Sequence, residues 1–329
     1  AGEPCAGRRV VLMLHGFTQD ARLFMHRCSN LTRKVLRPAG LEPVYLDAPL
    51  ECPALYAAPR EGREGKDAEK KMAGPSLDGD APAAGGGGGP PQDKARGGEQ
   101  RAWFVPGEMD PAVRPATSAC WEGWEESLAA IELALEGTRG PPPAEERRVL
   151  QPGDEVVGVV GFSQGALMAA LVLARHPSLR FGLLVCSGNA HDPSAAAALA
   201  ALPCNSSSGG VAPCGGFGKA GTGGGEKRSA SGPAVLCVAG TCDPLVTVTD
   251  CWRLANGLAN GLANGPAKAA ETRAGASAET ARSWSGDGSA LSDEQLKARV
   301  FVLEVEGGHG LPPNRDMASI RAFVSSALN

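Results

Sequence analysis

Short apolar runs alternate with amphipathic stretches along the chain, and this alternation predicts strands and helices in turn. Apolar runs bounded by glycine or polar residues are typical of buried strands and lie at 10–14, 42–46, 155–160, 181–186, 234–240 and 299–305. Apolar residues at helical spacing predict helices at 23–36, 121–135, 164–170 and 315–328. Strands that alternate with helices favour an α/β fold, a doubly wound and mostly parallel sheet with helices on both faces.

Three segments interrupt this alternation. Residues 56–100 carry charged runs and a glycine tract, residues 204–232 are rich in serine and glycine, and residues 254–292 begin with a Leu-Ala-Asn-Gly repeat. Such composition buries too little apolar surface to offset the entropy of ordering, so we expect mobile or disordered insertions. Without them about two-thirds of the chain remains, which predicts one domain over residues 8–328.

Composition narrows the class of protein. The formal net charge of −4 provides no basic surface for nucleic acid or an anionic membrane, and no apolar run is long enough to span a bilayer. The ten cysteines show neither a Cys-x-x-Cys pair nor zinc-ligand spacing, which favours a reducing compartment. We expect a cytoplasmic protein, with a nuclear location as an alternative. An organellar location also stays open, because the chain begins at Ala1 rather than with Met. The sequence does not indicate its oligomeric state.

The most informative segment for function reads Gly-Phe-Ser-Gln-Gly at residues 161–165. An apolar strand precedes it and a helix rich in small residues follows it, as in the nucleophile elbow of α/β-hydrolases. Gly161 and Gly165 leave room for the tight turn and for close packing of helix on strand. The pattern therefore predicts Ser163 as a nucleophile held in a strained backbone conformation.

Two backbone amides are predicted to bind the oxyanion. The amide of Gln164 begins a helix, where unpaired N–H groups and the helix dipole favour an anion. The strand at 10–14 runs into a His-Gly turn, which is typical of the loop that donates the second amide, here that of Phe17.

The acid and the base are expected in the chain order Ser, acid, His. Asp243 follows the apolar run 234–240, at the edge where parallel sheets bind ligands, and His309 lies in a glycine-rich loop after the run 299–305. His309 is therefore the predicted base and Asp243 its acid. His15 is interpreted as structural, and His191 is a reserve candidate for the base. Helical patterns with polar neighbours favour a surface role for His26 and His176. The other acids fit the role less well, because Asp154 precedes the strand that leads to Ser163, Asp192 lies in the loop of an earlier strand, and Asp250 falls within a helix.

The motifs occur together in an order that resembles the FSH family of serine hydrolases. They are Leu-Met-Leu-His-Gly-Phe-Thr-Gln at 12–19, Tyr-Leu-Asp-Ala-Pro at 45–49, Arg-Ala-Trp-Phe at 101–104, the serine motif at 161–166 and Gly-Gly-His at 307–309. The second and third discriminate best, because the others are shared by many hydrolases. The resemblance implies a compact α/β-hydrolase that acts on esters or thioesters of medium to long acyl chains. By match to the family pattern, the triad falls on Ser163, Asp243 and His309.

The predicted reaction is acyl transfer from a small-molecule ester or thioester to water, with no metal or organic cofactor. Two other functions stay open: a thioesterase or acyltransferase that serves a synthase partner, and a non-catalytic binding module on a hydrolase scaffold. Trp103 and Phe104 have two interpretations, since they could wall the acyl pocket or cover the core. Asp47 is expected to fix its loop by hydrogen bonds.

Overall fold

The described part of the chain is built on a parallel sheet of seven strands. The computed structural model describes residues 7–53, 56, 99–108, 117–137, 150–151, 153–200, 232–269, 282–283 and 299–329. The sheet strands are β1 (Arg9–Leu14), β2 (Glu42–Leu46), β7 (Glu155–Phe162), β8 (Phe181–Val185), β9 (Ala234–Gly240), β10 (Arg282–Ser283) and β11 (Val300–Val305). Across the sheet they lie in the order β10-β11-β9-β8-β7-β1-β2. The described residues confirm the predicted α/β-hydrolase fold class.

Two short antiparallel ribbons lie outside this sheet. One pairs β3 (Leu50–Glu51) with β4 (Arg101–Ala102), and the other pairs β5 (Val105–Pro106) with β6 (Trp121–Glu122).

The strand order creates a switch point beside β1. The chain passes from β1 to β2 on one side, and later places β7 on the other side of β1. Connections that leave a parallel sheet in opposite directions open a crevice at the carboxyl ends of the two strands, where α/β proteins bind ligands. The loop after β1 and the turn after β7 therefore meet at this crevice.

The sheet separates two hydrophobic layers. In β1, Val10, Leu12 and Leu14 face one layer, while Val11 and Met13 face the other, as the two-residue period of a strand dictates. The first layer is formed with α3 (Trp124–Gly137), α4 (Gln164–Arg175), α5 (Pro193–Ala200) and α6 (Val248–Ala269). The second is formed with α1 (Ala21–Arg27), α2 (Ser29–Leu31), a π-helical turn (Thr32–Leu36) and α7 (Met317–Leu328).

Most predicted elements lie where the apolar pattern placed them, and the differences have local causes. The predicted helix at 23–36 begins earlier, at Ala21, because the Asp20 side chain caps it by accepting a 2.6 Å hydrogen bond from the amide of Leu23. It continues as short helical segments, including the 3₁₀ turn Arg37–Ala39, and ends at Gly40 with φ of 70°.

The predicted helix at 121–135 is wrong at its start. Trp121 belongs to β6, and the helix begins at Trp124. Gly123 lies between them with φ of 80°, a left-handed conformation that interrupts a helix. Both tryptophans are buried in the core. At the C-terminus the predicted helix 315–328 opens with a 3₁₀ turn, Asn314–Asp316.

The expectation of a mobile insertion over residues 254–292 is also wrong in part. The repeat lies within α6, and Arg282–Ser283 pairs in parallel with β11. Leu254, Ala255, Leu258 and Ala259 are all buried in the first layer. Two copies of Leu-Ala four residues apart place these side chains on one helical face, so the repeat forms an apolar stripe.

The insertions predicted at 56–100 and 204–232 lie almost wholly outside the described residues. No helix in the described ranges combines the length and apolar character that crossing a bilayer requires.

Candidate active site

Ser163 occupies the turn between β7 and α4 in a strained conformation, with φ of 53° and ψ of −116°. Its N–H donates to the carbonyl of Val185 on the neighbouring strand at 2.8 Å, which holds the turn against the sheet. Its side chain does not cap α4, so Oγ is available for other partners. Strain of this kind at a non-glycine residue is concentrated at functional sites, because the surrounding structure must maintain it.

The two flanking glycines are required by close backbone approach. A Cβ on Gly161 would lie 2.2 Å from the carbonyl oxygen of Gly165, and a Cβ on Gly165 would lie 2.3 Å from the carbonyl oxygen of Leu14. Any side chain at either position would therefore push α4 away from β1 and β7. The steric role predicted for both glycines is present in the structure.

Three side chains from three loops converge at this turn. His309 Nε2 lies 2.9 Å from Ser163 Oγ, and His309 Nδ1 lies 2.8 Å from Asp243 Oδ2. Because a carboxylate accepts hydrogen bonds, Nδ1 carries the proton and Nε2 presents its lone pair to the Ser163 hydroxyl. The arrangement gives the serine an adjacent proton acceptor, which is the geometry that nucleophilic catalysis by serine requires.

Asp243 is fixed in position by backbone amides. Its Oδ1 accepts hydrogen bonds from the N–H groups of Leu245 at 2.8 Å and Val246 at 3.0 Å, which leaves Oδ2 for His309. The Asp243 side chain has no solvent exposure, whereas that of His309 is 17% exposed. The buried carboxylate is thus held by two amides next to an imidazole that is partly exposed to solvent.

The loop that carries His309 is attached to the end of β9. The amide of Cys242 donates to the carbonyl of Gly307 at 2.9 Å, and a Cβ on Gly240 would lie 2.7 Å from the carbonyl oxygen of Gly308. The imidazole also packs against the ring of Phe162, with ring centroids 5.1 Å apart. These contacts orient the ring toward the serine.

The predicted oxyanion donors lie on the two sides of the switch point. Gln164 begins α4 directly after Ser163, and Phe17 lies in the loop after β1. Within the described ranges, neither backbone N–H has an acceptor. Helix N-termini carry such donors together with the positive end of the dipole, which favours a developing negative charge.

His15 fixes the conformation of the loop after β1. It is fully buried, its Nδ1 lies 2.8 Å from the carbonyl oxygen of Gly16, and its Nε2 accepts from the amide of Ala48 at 3.1 Å. With Nε2 as acceptor, Nδ1 is the protonated nitrogen. Burial lowers the pKa of His15 below its usual 6.5, so the ring stays neutral at physiological pH. The structural role predicted for His15 fits these contacts.

The segment 101–104 supports the same loop from the other side. The amide of Thr18 donates to the carbonyl of Arg101 at 3.0 Å, and the amide of Arg101 donates to the carbonyl of Gln19 at 3.1 Å. Trp103 Nε1 donates to the carbonyl of His15 at 2.8 Å. The two motifs that best discriminate the FSH resemblance, at 45–49 and 101–104, therefore both brace the loop that carries Phe17.

Trp103 and Phe104 are core residues, with exposures of 1% and 0%. The ring of Phe104 stacks on that of Trp121 at a centroid distance of 4.1 Å and an interplanar angle of 14°. Of the two interpretations of this pair, the burial and the stacking favour covering the core. A contact of either side chain with substrate stays a prediction.

The other candidate acids have structural partners. Asp192 caps α5 by accepting from the amides of Ser194 and Ala195, and it also accepts from the amide of Trp121. Burial alone would raise its pKa, but these hydrogen bonds and that of the Ser194 hydroxyl lower it. Asp154 forms a salt bridge with Arg8, and Asp250 accepts a hydrogen bond from the Thr247 hydroxyl. Asp47 accepts a hydrogen bond from the amide of Ala21.

Of the remaining histidines outside the site, two are exposed and one is partly buried. His26 and His191 are exposed, and His176 ends α4 at 3.8 Å from the carboxylate of Glu132. His309 alone is within hydrogen-bonding distance of Ser163 among the described histidines.

Sequence reasoning missed two side chains that belong to the site. Gln164 bonds through its side chain to the backbone of Trp103 and Phe104, and Cys186 lies beside Asp243. Gln164 could have been noticed as a polar residue in an otherwise apolar helix. Cys186 ends the apolar run 181–186, and nothing in its sequence context indicates that it has φ of 50° at the end of β8.

Comparison with known proteins identifies the family. A family model described as "Serine hydrolase (FSH1)" matches residues 7–261. Among curated proteins, Rhodanese-like domain-containing protein 6 of Arabidopsis thaliana is 32% identical over 188 residues, which cover 54% of this chain and 25% of that protein. The chain thus spans about a quarter of the length of the curated relative it matches.

Two plant crystal structures are similar to this one at low sequence identity. Arabidopsis thaliana SOBER1 has a TM-score of 0.48 at 12% identity, covering 98% of this chain and 100% of that one. Zea mays acyl-protein thioesterase 2 has a TM-score of 0.46 at 13% identity, covering 100% of this chain and 97% of that one.

Proposed function

The chain belongs to the FSH1 family of serine hydrolases, and on that premise we propose that it cleaves carboxylic esters or thioesters of medium to long acyl chains. Ser163 is the proposed nucleophile, His309 the general base and acid, and Asp243 the residue that orients His309. The products are a carboxylic acid and an alcohol or thiol. Water is the final acyl acceptor.

The observation that carries this proposal is the continuous chain of two hydrogen bonds, Ser163 Oγ to His309 Nε2 at 2.9 Å and His309 Nδ1 to Asp243 Oδ2 at 2.8 Å. Both distances are already short enough for direct proton transfer or strong hydrogen bonding. A binding module on the same scaffold would have no need for this alignment, nor for the strained backbone at Ser163.

In the acylation step, Ser163 Oγ attacks the carbonyl carbon of the substrate while His309 Nε2 takes the hydroxyl proton. The imidazolium that forms is stabilised by the buried Asp243 carboxylate, which does not itself take the proton. His309 then gives its proton to the leaving alkoxide or thiolate, and the acyl group remains on Oγ as an ester.

Deacylation repeats these roles with water. His309 Nε2 removes a proton from a water molecule as it attacks the acyl-enzyme carbonyl, and then returns the proton to Ser163 Oγ when the acid leaves. The 17% exposure of the His309 side chain is consistent with water reaching the imidazole.

Both steps pass through a tetrahedral intermediate with a negatively charged oxygen. The backbone amides of Phe17 and Gln164 are the proposed donors to that oxygen. A single donor of this kind accelerates the reaction by roughly 10²–10³-fold in serine hydrolases. The hydrogen bonds that His15 and Arg101 make with the loop around Phe17 hold this donor in place before the substrate arrives.

A fluorophosphonate probe tests the nucleophile directly. Purified protein should be labelled at Ser163, as located by mass spectrometry of the modified peptide, and Ser163→Ala should not be labelled. Absence of labelling in well-folded protein would favour the binding-module function instead.

A substrate series tests the acyl group and the acceptor. p-Nitrophenyl esters and acyl-CoA thioesters of increasing chain length should show the highest kcat/KM at medium to long chains. Adding an alcohol or amine acceptor and measuring acyl product separates hydrolysis from acyl transfer. A maximum at acetyl esters would contradict the proposed substrate class.

A further inference from the structure

A third potential ligand lies beside the proposed acid and base. The Sγ of Cys186, a carboxylate oxygen of Asp243 and a ring nitrogen of His309 all lie within 4.8 Å of one another. Cys186 directly follows β8, is 1% exposed, and has a positive φ of 50°. Its Sγ lies 3.3 Å from the carbonyl oxygen of Gly310, in the loop that carries His309. The thiol is therefore part of the active-site floor.

We propose that Cys186, Asp243 and His309 form a zinc site that inhibits the enzyme reversibly. Inhibition by zinc rests on the proposed catalytic function of Asp243 and His309. Zinc binding itself does not depend on that function. Zinc at this site is an inhibitor rather than a cofactor, because it binds the groups that catalysis uses.

The ligand set is the kind that zinc prefers. Thiolate, imidazole and carboxylate are the usual protein ligands of Zn²⁺, and three of them with one open position is a common arrangement. One thiolate and one carboxylate neutralise the charge of the ion, which matters at a site where Cys186 and the Asp243 side chain are buried. Mg²⁺ and Ca²⁺ need several oxygen ligands and have only one carboxylate here.

The required movement is small. Ligand atoms of a tetrahedral zinc ion at bond lengths of about 2.0–2.3 Å lie roughly 3.3–3.8 Å apart. His309 Nδ1 and Asp243 Oδ2 are 2.8 Å apart and need to separate slightly. Cys186 Sγ lies at most 4.8 Å from the other two ligand atoms, so it needs to approach them by no more than about 1 Å. The adjustment requires the His309 ring to turn slightly away from Asp243, and its 17% exposed side chain is where the ion would enter from solvent.

Binding at Nδ1 reverses the tautomer of His309. In the free site Nδ1 carries the proton and Nε2 accepts from Ser163. When Zn²⁺ binds Nδ1, that proton leaves and Nε2 becomes protonated, while the Cys186 thiol loses its proton to solvent. One proton is released in total. Nε2 then cannot accept the Ser163 proton, so the nucleophile is no longer activated.

Direct metal binding is measured with Co²⁺, which substitutes for zinc and reports its ligands by absorption. Wild-type protein should bind one Co²⁺ per chain, with a thiolate-to-cobalt charge-transfer band that Zn²⁺ displaces. The band should be absent in Cys186→Ser, which keeps a hydroxyl of similar size near Gly310. Cys251→Ala is the matched control: its thiol is buried too, 3.0 Å from the carbonyl oxygen of Ser187, and it should leave the band unchanged.

The same variants are then assayed for ester hydrolysis with added zinc. Inhibition of wild type and Cys251→Ala should be reversed by EDTA, and equal concentrations of Mg²⁺ or Ca²⁺ should have no effect. In Cys186→Ser, the inhibition constant for zinc should rise by more than about 100-fold. Loss of a group that only orients a metal ligand weakens metal binding by roughly 10–100-fold, and loss of a direct ligand should cost more.

The two proposals fail in different ways. Wild-type protein without a cobalt thiolate band overturns the zinc site, whatever its esterase activity. Equal zinc inhibition of wild type and Cys186→Ser also overturns it. A Cys186-dependent band in a protein that hydrolyses no ester would retain the metal site and reject the proposed function. If Cys186→Ser does not fold, Cys186→Ala replaces it, with circular dichroism as the check on folding.

Discussion

The backbone N–H of Trp103 donates a 2.7 Å hydrogen bond to the side-chain Oε1 of Gln164, the residue that directly follows the proposed nucleophile. The other end of the same side chain, Nε2, donates to the carbonyl oxygen of Phe104 at 2.5 Å. Gln164 is buried, so both bonds are shielded from water. The side chain of Gln164 thereby joins the turn at Ser163 to the segment 101–104, which supports the loop of Phe17. These contacts fix the position of the Gln164 amide relative to the Phe17 amide, the two proposed oxyanion donors.

Replacing Gln164 with methionine tests this connection. Gln164→Met keeps the length of the side chain but leaves the Trp103 N–H and the Phe104 carbonyl buried without partners, at about 1–3 kcal/mol each. We expect the free energy of unfolding to fall by about 2–6 kcal/mol, the sum of the two losses. We also expect kcat to fall up to roughly 100-fold, since small misplacements of catalytic groups have effects of that size.

The control is Gln151→Met, the same chemical change at an exposed position. It should leave kcat unchanged, because residue 151 precedes β7 and Ser163 follows it, at the opposite end of that strand. If Gln164→Met kept wild-type kcat while losing stability, the side chain would serve the fold alone.

The sequence predicted the local features of the site better than its long-range contacts. The apolar runs located β2 and β9 at their observed bounds, and the Gly-x-Ser-x-Gly pattern located the turn at Ser163. Asp243 and His309 followed from chain order and strand ends. The strands and the turn depend on residues close together in the chain, which the hydrophobic period records directly. Asp243 and His309 are 66 residues apart and were assigned through chain order and the family pattern instead.

Contacts between distant segments were not predictable in the same way. Cys186 reaches Asp243 only because β8 and β9 pair in register, and Gln164 reaches Trp103 across a separation of 61 residues. The glycine-rich repeat in α6 was misjudged for a different reason. Its composition suggested disorder, but the four-residue spacing of its leucines allowed burial against the sheet.

The close approach at Gly165 predicts a sharp contrast between two glycines. A Cβ there would lie 2.3 Å from the carbonyl oxygen of Leu14, so Gly165→Ala should destabilise the fold by at least about 1–3 kcal/mol and reduce kcat. Gly257 in α6 has open space around its Cβ position, and Gly257→Ala should stabilise by about 0.5–1 kcal/mol. Chemical unfolding of both variants checks this. Equal effects at the two positions would mean that α4 can move away from β1.

His15 predicts a pH dependence of stability. Its pKa is lowered in the folded protein by burial, whereas in the unfolded chain it is near 6.5. The unfolded state therefore binds a proton more readily, so this contribution to stability is complete above pH 6.5 and declines as the pH falls below that value. His15→Gln keeps an acceptor for the Ala48 amide but does not titrate. Between pH 7.5 and pH 5.5, wild type should lose more unfolding free energy than the variant does, as measured in urea at roughly 25 °C. Parallel pH profiles would exclude His15 as the source.

Ser163→Ala tests the nucleophile. Removal of the serine hydroxyl should lower kcat by a factor on the order of 10⁴–10⁶, because the proposed acyl-enzyme can no longer form. The fold should be retained, since the hydroxyl fills little volume. Ser194→Ala is the control; its hydroxyl bonds to Asp192 at the start of α5 and contacts no group of the site. Ester hydrolysis within tenfold of wild type in Ser163→Ala would rule out this serine as the nucleophile.

The contacts of Asp243 predict the effect of changing it to asparagine. Oδ1 accepts from the amides of Leu245 and Val246, so the oxygen of an asparagine should keep that position and its NH₂ group should face His309. A donor there forces His309 Nδ1 to accept, which places the ring proton on Nε2, the wrong tautomer for activating Ser163.

We expect Asp243→Asn to keep its fold and lose about 10⁴ in kcat, the size of the corresponding effect in a serine protease. Residual activity should recover partly at alkaline pH, where hydroxide replaces the missing base. Asp192→Asn and Asp250→Asn are matched controls, because neither carboxylate contacts His309, and their kcat should stay near that of wild type. Steady-state kinetics from pH 6 to pH 10 measure all three variants. If Asp243→Asn stayed active while one of the controls lost activity, the assignment of Asp243 as the acid would be wrong. The tautomer argument would then fail as well.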